Sequence, residues 1–493
     1  MMSISNTAKA LLAGLLLYAP LLAAQQSDPG GSPPASPGQG SSQSGPVSPY
    51  DEALQPQAPQ QEAAGPISGV QSSRVGRLSL GRSFLVPTLS LQETFDTNSQ
   101  NASTSATRTN DSISNITGRL DLQWTSRRSV LDLDYVGTGF LYNTTSRSHQ
   151  FVQGLSVNDK FSLGRWSLTA ANSFTFTPEA LGGLGGYGFS PGNQVNFNGG
   201  SLGTGVTGAN FNPAFLPAQN ILGTGRSISD TTLGQAQYVL GVRSSLNVSA
   251  SFGLVHYLDS GFFDSHSINL RGGYDFSLNA KNTVGISYSV SLFRYSQLVT
   301  RSNAHTVFLS YRHRVSGRLN VSVSAGPQIN QSIALTGPTG MTVATLSTTL
   351  SWSVSTSVSY LAPRGNFNVS YMRWNNEGSG LLLGAESNDV EMSFGRQLTR
   401  LWTASINGGY TQNGSLSNTV TGTTGSAHLN GWQGGVSLDR PIGRNIQMGV
   451  RYSAARQTSN FTGCIISTAC GNVALRQSVG VNFSWTHRPI ALE

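Results

Sequence analysis

From about Leu80 to Trp485 the chain alternates, residue by residue, between apolar side chains and small or polar ones. In the segment that begins at Leu246, for example, every second residue up to Leu254 is apolar, and the residues between them are Asn, Ser, Ser and Gly. A period of two is typical of β-strands, whose successive side chains point to opposite faces. The predicted strands run for about 10 to 15 residues, longer than the roughly five or six of an ordinary strand. The pattern therefore predicts an all-β chain of long strands.

Two kinds of connection separate these strands. Short turns, such as those at Arg127, Arg165 and Lys281, each carry a basic residue. Longer polar connections, such as the one predicted at about 331 to 343, alternate with them. The strand count is about 18, within a range of about 16 to 20, and an even number places both chain ends on the same side. Short turns on the periplasmic side and long loops outside are typical of a transmembrane antiparallel up-and-down β-barrel.

Aromatic residues in the apolar phase gather into two bands. The first band lies beside the short turns and comprises Trp124, Trp166, Tyr238, Tyr311, Tyr360, Phe367, Phe394, Trp402 and Trp485. The second is expected toward the long connections and comprises Phe95, Phe176, Tyr274, Tyr371, Tyr410 and Tyr452. Aromatic girdles of this kind mark the two interfaces of a membrane barrel.

Composition agrees with a chain that meets two solvents. Only 11% of the 493 residues are charged, against about a quarter in a typical soluble domain. The formal net charge of +8 is compatible with binding to nucleic acid. However, the arginines are spread singly along the chain, whereas a nucleic-acid surface clusters its basic residues. We therefore expect no nucleic-acid partner.

The N-terminal region differs from the rest. Lys9 precedes the apolar stretch 10–24, which ends in two alanines, so residues 1–24 are predicted to be a secretory signal peptide. Residues 25–78 are rich in Pro, Gly, Ser and Gln and are predicted to form a disordered periplasmic lead. The barrel is expected to span residues 79–493.

With this alternation, these girdles and a final strand of Val479 to Trp485, the chain resembles the bacterial outer-membrane β-barrel superfamily, and porin-like channels in particular. The resemblance implies a location in the outer membrane of a Gram-negative-type bacterium, contact with its lipid, and insertion by the barrel-assembly machinery. It leaves association with further copies of the chain open. Residues 487–493 continue past Trp485, where many members of the superfamily end on an aromatic residue.

Charged residues in the polar phase are the candidate lining of a pore lumen, because a charge on the lipid face costs roughly 2–4 kcal/mol at mid-membrane. They are Arg119, Asp121, Asp132, Asp134, Arg271, Asp275, Arg312, Arg314, Asp389, Glu391, Arg451 and Arg476. Two arrangements remain open. Arg451 and Arg476 could neighbour Arg119 and face the acidic group, as in the transverse field of general porins, or neighbouring strands could neutralise one another.

The third long connection, 177–228, has no charged residue between Ala180 and Gly225. Its aromatic residues are Tyr187, Phe189, Phe197, Phe211 and Phe215. The third loop of general porins folds into the lumen, so the resemblance implies a neutral, aromatic constriction suited to uncharged solutes. The alternative is an external loop without a gating role.

The remaining candidate chemistry is sparse. Cys464 and Cys470 are close in sequence and are expected to form a local disulfide, since no histidine or carboxylate lies nearby to complete a metal site. The cluster Asp264-Ser265-His266 resembles part of a triad, but adjacent side chains in a strand point to opposite faces. We expect no enzymatic activity, no cofactor and no metal.

The sequence thus favours a porin-like channel for diffusion or export of small hydrophilic solutes. Two alternatives stay open. One is an outer-membrane component of polysaccharide export, and the other is a structural or adhesion barrel whose lumen is closed.

Overall fold

A computed structural model describes ten segments of the chain: 83–98, 108–144, 149–177, 226–259, 264–295, 301–336, 343–376, 385–415, 428–459 and 473–492. The predicted signal peptide, the predicted lead, the loop residues 178–225 and both cysteines lie outside these segments. Within the described segments no helix is long and apolar enough to cross a membrane.

The described strands follow one another in a simple order. Their bounds are β1 Ser83–Asp96, β2 Asp111–Thr125, β3 Ser129–Tyr142, β4 Gln150–Leu163, β5 Trp166–Thr177, β6 Ser227–Gly241, β7 Ser244–Tyr257, β8 Ser265–Asn279, β9 Asn282–Tyr295, β10 Arg301–Arg314, β11 Leu319–Thr336, β12 Val343–Ala362, β13 Gly365–Asn376, β14 Ala385–Gln397, β15 Thr403–Ser415, β16 His428–Pro441, β17 Ile446–Ser459, β18 Val473–Thr486 and β19 Ile490–Leu492. Each strand from β2 to β17 pairs antiparallel with its predecessor and its successor in the chain.

Pairing of the first strand with the last closes the sheet. Thr88–Asp96 of β1 pair with Ser478–Thr486 of β18, while Ser83–Leu85 pair with β19 along the same edge. β18 and β19 therefore occupy a single position in the ring of strands. We call each such position a stave, and the described barrel has eighteen staves. The predicted all-β up-and-down barrel of about 18 strands is confirmed. Residues beyond Trp485 lengthen the closing stave, because Ile490–Leu492 pair with β1.

Local side-chain hydrogen bonds shape the short turns. Ser126 Oγ accepts from the backbone N–H groups of Arg128 and Ser129, and Asn279 Oδ1 accepts from those of Lys281 and Asn282. Such bonds favour turns over continued strand. Gly164, with a φ of 59°, takes the left-handed conformation that its two-residue turn requires.

One connection differs from the prediction. The sequence suggests a long polar loop from about 331 to 343, but β11 continues to Thr336 and β12 begins at Val343. The ladder between β11 and β12 continues without interruption as far as the pair Thr336–Val343, so both strands extend into the segment predicted to be a loop. β11 has 18 residues and β12 has 20, so both exceed the predicted strand length.

The two faces of the barrel differ in polarity. The outer face carries exposed apolar side chains such as Leu309 and Leu350, which are 70% and 72% exposed. Aromatic residues line its short-turn end. Trp166 and Tyr238 have ring centroids 4.6 Å apart, and the register places Phe367 between two further members of the predicted band, Tyr360 and Phe394. The second predicted band is less regular, because Tyr274 lies nearer the short-turn end of β8.

Gly326 and Pro327 mark an irregularity in β11. Pairing with β10 is interrupted between Gln328 and Ala325, whereas pairing with β12 is continuous. Proline has no N–H group to donate to a ladder, so it fits where pairing is broken. A Cβ atom at Gly326 would lie 1.6 Å from the carbonyl oxygen of Val307. This position therefore admits only glycine without a backbone shift.

Candidate functional site

The register places all twelve predicted lumen residues on the inner face, which is the face opposite the exposed apolar side chains. Their role in a pore stays a prediction. Strand alternation alone is enough to put these side chains inside, because each lies an odd number of residues from an exposed apolar neighbour on its own strand.

An acidic cluster with one arginine lies on β2 and β3. Asp121 and Asp134 are direct register partners, a like-charge pairing that is destabilising by itself. Arg119 relieves it, because its Nε donates to Asp121 Oδ1 at 3.0 Å and its Nη2 contacts Asp134 Oδ2. Asp132 follows on the inner face of β3. One arginine among three carboxylates leaves this wall with negative formal charge.

A basic cluster lies on β8 to β10. The guanidinium carbon of Arg271 lies 5.0 Å from the centroid of the Phe308 ring, and its Nη2 donates to Ser287 Oγ at 2.8 Å. This is a cation–π contact with additional polar support. Arg312 and Arg314 follow on the inner face of β10, while the one carboxylate of these three strands, Asp275, accepts from Asn247 Nδ2 at 2.6 Å. The formal charge of this wall is therefore positive.

Asp389 and Glu391 form a second acidic site, on β14. They occupy successive inner-face positions, and Glu391 is exposed to the interior. Their register partners on β13 and β15 are Met372, Ser370, Thr411 and Gly409, none of which is basic. Neither carboxylate forms an ion pair with another described residue.

The closing seam contains a buried ion pair. Arg476 Nε donates to Asp96 Oδ2 at 2.6 Å, and the side chains are 2% and 0% exposed. Arg476 thus pairs with Asp96 of β1, and Arg119 pairs with the acidic cluster of β2 and β3. Each of these two arginines is neutralised within its own or the adjacent strand, so they do not form a basic wall with Arg451. The positively charged wall lies on β8 to β10.

Sequence reasoning missed several inner-face residues. Lys160 and Asp439 lie in the same phase as the predicted set and follow from extending the alternation to β4 and β16. Asp96 becomes visible only once β1 is paired with β18. Asp439 accepts from Ser437 at 3.1 Å.

An apolar layer on the inner face was also missed. Ile113, Phe140, Tyr142 and Val152 form one buried cluster on β2 to β4, and Phe293 and Trp374 are nearly as buried on β9 and β13. All lie toward the ends of their strands that lead into the long connections. Toward the short turns the inner face is mixed, because Lys160 is half-buried whereas Val86 and Ser484 are 1% and 2% exposed. Burial of inner-face residues is therefore not confined to one end of the barrel.

The predicted constriction residues Tyr187, Phe189, Phe197, Phe211 and Phe215 lie outside the described residues, as do Cys464 and Cys470. Their roles remain predictions.

Comparison with known proteins finds no protein-family model and no curated protein that matches the sequence. Similar solved structures exist. A structure of Pseudomonas aeruginosa OpdK with vanillate is 10% identical and covers 82% of this chain and 99% of its own, with a TM-score of 0.37. Acinetobacter baumannii OccAB3 is 9% identical and covers 82% and 99%, with a TM-score of 0.39. Pseudomonas aeruginosa OccK5 is 13% identical and covers 83% and 98%, with a TM-score of 0.38. Because both the identities and the TM-scores are this low, the fold and the site are described from the strand pairing of this chain alone.

Proposed function

We propose that the protein is a channel of the bacterial outer membrane that passes small hydrophilic solutes, without enzymatic activity. The observation that carries the proposal is an eighteen-stave closed barrel with an apolar outer face and a charged inner face. Side chains fill barrels of about eight strands, whereas those of about 16 to 18 leave room for water. With staves about 4.8 Å apart and tilted by about 40°, the backbone ring is about 36 Å across.

The outer face supports the membrane location. Its exposed leucines would form a large apolar surface in water, of a size that soluble monomers rarely expose. An aromatic band at the short-turn end suits the interfacial region of a bilayer. Closed pairing also removes the free strand edges that cannot exist in lipid. These features support a location in the outer membrane of a Gram-negative-type bacterium.

Charge segregation on the inner face supports transport of polar solutes. The acidic wall of β2 and β3 and the basic wall of β8 to β10 are separated by several staves in either direction around the ring. A solute between them would experience a transverse field, which orients dipoles and tunes ion selectivity. We infer that the solutes are small, polar molecules, with the loop 177–228, uncharged between Ala180 and Gly225, as the proposed constriction.

Planar-bilayer recording of the refolded full-length protein tests the proposal. Steady, reproducible conductance steps are expected, and heat-modifiable gel mobility serves as the control for a folded barrel. A folded barrel that never conducts would contradict the channel. The matched variant that lacks 180–225 then shows whether that segment blocks the lumen.

One observation favours a second candidate, a structural barrel with a closed lumen. The buried layer around Phe140 and Phe293 lies on the inner face, where an open aqueous channel would leave it exposed. An apolar layer of this kind is stable only against other protein atoms. The closed barrel predicts the absence of conductance in the full-length chain together with unchanged folding.

Insertion and assembly belong to the same proposal. The outer-face positions of β18, from Val479 to Trp485, alternate as expected for a strand handled by the barrel-assembly machinery. We propose that this machinery inserts the chain. Chemical cross-linking in the native membrane tests whether copies of the chain associate.

A further inference from the structure

Two arginines oppose each other on the outer face of the barrel. Arg294 near the end of β9 and Arg301 at the start of β10 are direct register partners. Directly opposed residues of an antiparallel pair have Cβ atoms about 5 Å apart, and like charges at that separation destabilise the sheet. His266 on β8 is the register partner of Arg294 on its other side. Three basic or titratable side chains thus lie in one row at the end of the barrel that leads into the long connections.

No carboxylate of the neighbouring strands neutralises this row. The sequence contains no Asp or Glu between Asp275 and Glu377, which covers β9 to β13 and their connections. The acids at the ends of β7 and β8 already have partners. Asp264 accepts from His256 Nδ1 at 2.7 Å, and Asp259 accepts from Arg226 Nε at 2.7 Å.

The Arg294 side chain is held in place by short-range bonds. Its Nη1 donates to Asn303 Oδ1 at 2.9 Å and to the carbonyl oxygen of Phe293 at 2.8 Å. Only one of its nitrogens takes part in these bonds. Arg301 is exposed, and within the described segments it forms no ion pair. Two guanidinium groups with donors to spare and a shared location are suited to one polyvalent anion.

The surroundings identify the kind of molecule that carries the anion. Farther along the same strands Tyr288, Val307 and Leu309 are exposed on the outer face, where His305 is hydrogen-bonded to the Tyr288 hydroxyl at 2.8 Å. A soluble anion would gain nothing from this surface, whereas the acyl chains of a lipid would cover it. The site therefore combines a double arginine for a headgroup with an apolar surface for the chains.

We propose that Arg294 and Arg301, assisted by His266, bind the phosphate headgroup of a lipid in the external leaflet. The proposal rests on the membrane location argued above. Phosphate accepts parallel hydrogen bonds from arginine and brings two negative charges when it is a monoester. Bound lipid would convert the repulsion between the two arginines into an attraction through a shared anion.

Native mass spectrometry of the full-length barrel in detergent tests the site, with dioleoyl phosphatidic acid as the probe and dioleoyl phosphatidylcholine as the reference. We expect selective retention of phosphatidic acid. The double variant Arg294→Gln/Arg301→Gln should bind it at least tenfold more weakly. Arg456→Gln is the matched control, because Arg456 is also exposed on the outer face near a strand end but has Trp432 and Leu475 as register partners. Its affinity should stay within twofold of wild type.

Two results would overturn the proposal: equal retention of phosphatidic acid by the wild type and the double variant, or binding of inorganic phosphate as tight as that of the lipid. Urea unfolding with and without phosphatidic acid gives an independent readout, since the lipid should raise the unfolding midpoint of the wild type but not of the double variant. Conductance separates this proposal from the channel. A barrel that conducts without selective lipid binding contradicts only the lipid site, and one that binds lipid without conducting contradicts only the channel.

Discussion

The closing seam of the barrel depends on one buried ion pair, and its removal gives a quantitative test. In Asp96→Asn the carboxylate that receives Arg476 Nε at 2.6 Å is lost, while Arg476 stays 1% exposed. Removing one partner of a buried pair costs about 3–5 kcal/mol, because the other charge is left without compensation. Since about 1.4 kcal/mol corresponds to a factor of ten, the unfolding equilibrium should shift by between two and four orders of magnitude.

Urea unfolding in detergent micelles, followed by circular dichroism and by gel mobility, measures this loss. Arg226→Gln is the matched control, because the Arg226–Asp259 pair has a similar length of 2.7 Å but side chains that are 54% and 33% exposed. Exposed pairs contribute about 0–1 kcal/mol. The double variant Asp96→Asn/Arg476→Met removes both charges and should recover most of the stability lost by the single variant. Equal, small losses for Asp96→Asn and Arg226→Gln would refute the reasoning.

Three further predictions concern other parts of the barrel. Gly326→Ala should destabilise folding by about 1–3 kcal/mol or more, because its Cβ would meet the Val307 carbonyl oxygen at 1.6 Å and the backbone must move. Gly272→Ala has no atom within 4 Å of its new Cβ and is the control; equal unfolding midpoints in urea for the two variants would contradict the steric argument. Glu391→Gln should lower the cation-to-anion permeability ratio in planar bilayers, because it removes an exposed interior carboxylate that has no basic register partner. An unchanged reversal potential in a salt gradient would count against a conducting lumen at β14. Deletion of residues 487–493 should lower the unfolding midpoint without abolishing heat-modifiable mobility, because only three residue pairs join β19 to β1; complete loss of the folded form would mean that β19 is required for closure.

The alternation of apolar and polar residues was sufficient to predict the strands, their approximate number and the inner-face position of the twelve candidate lumen residues. These properties are local, since strand geometry alone fixes which side chains share a face. The extent of β11 and β12 was not predictable in the same way. The segment 331–343 contains Gly337-Pro338 and many small polar residues, which signal a turn. Pairing between the two strands extends them on both sides of it.

The features that were missed depend on non-local contacts. Asp96 and Arg476 are 380 residues apart in sequence, and only closure of the ring brings them together. The inner apolar layer was missed for another reason. Phe140 and Ile113 lie in the polar phase of their strands, and a binary pattern treats such residues as exceptions. They are buried in one cluster with Tyr142 and Val152 across β2 to β4, and periodicity does not report such packing between strands.

One property of the sequence links the inner and outer faces. In an up-and-down barrel, order along the chain becomes position around the ring, because each strand pairs with its neighbours in sequence. A stretch without acidic residues from 276 to 376 therefore becomes a continuous sector of the wall, from β9 to β13. Arg312 and Arg314 make this sector basic on the inside, and Arg294 and Arg301 make it basic on the outside. A fold with non-sequential strand order would have dispersed the same residues. The selectivity of the proposed channel and the proposed lipid site thus share one cause, the placement of carboxylates along the chain.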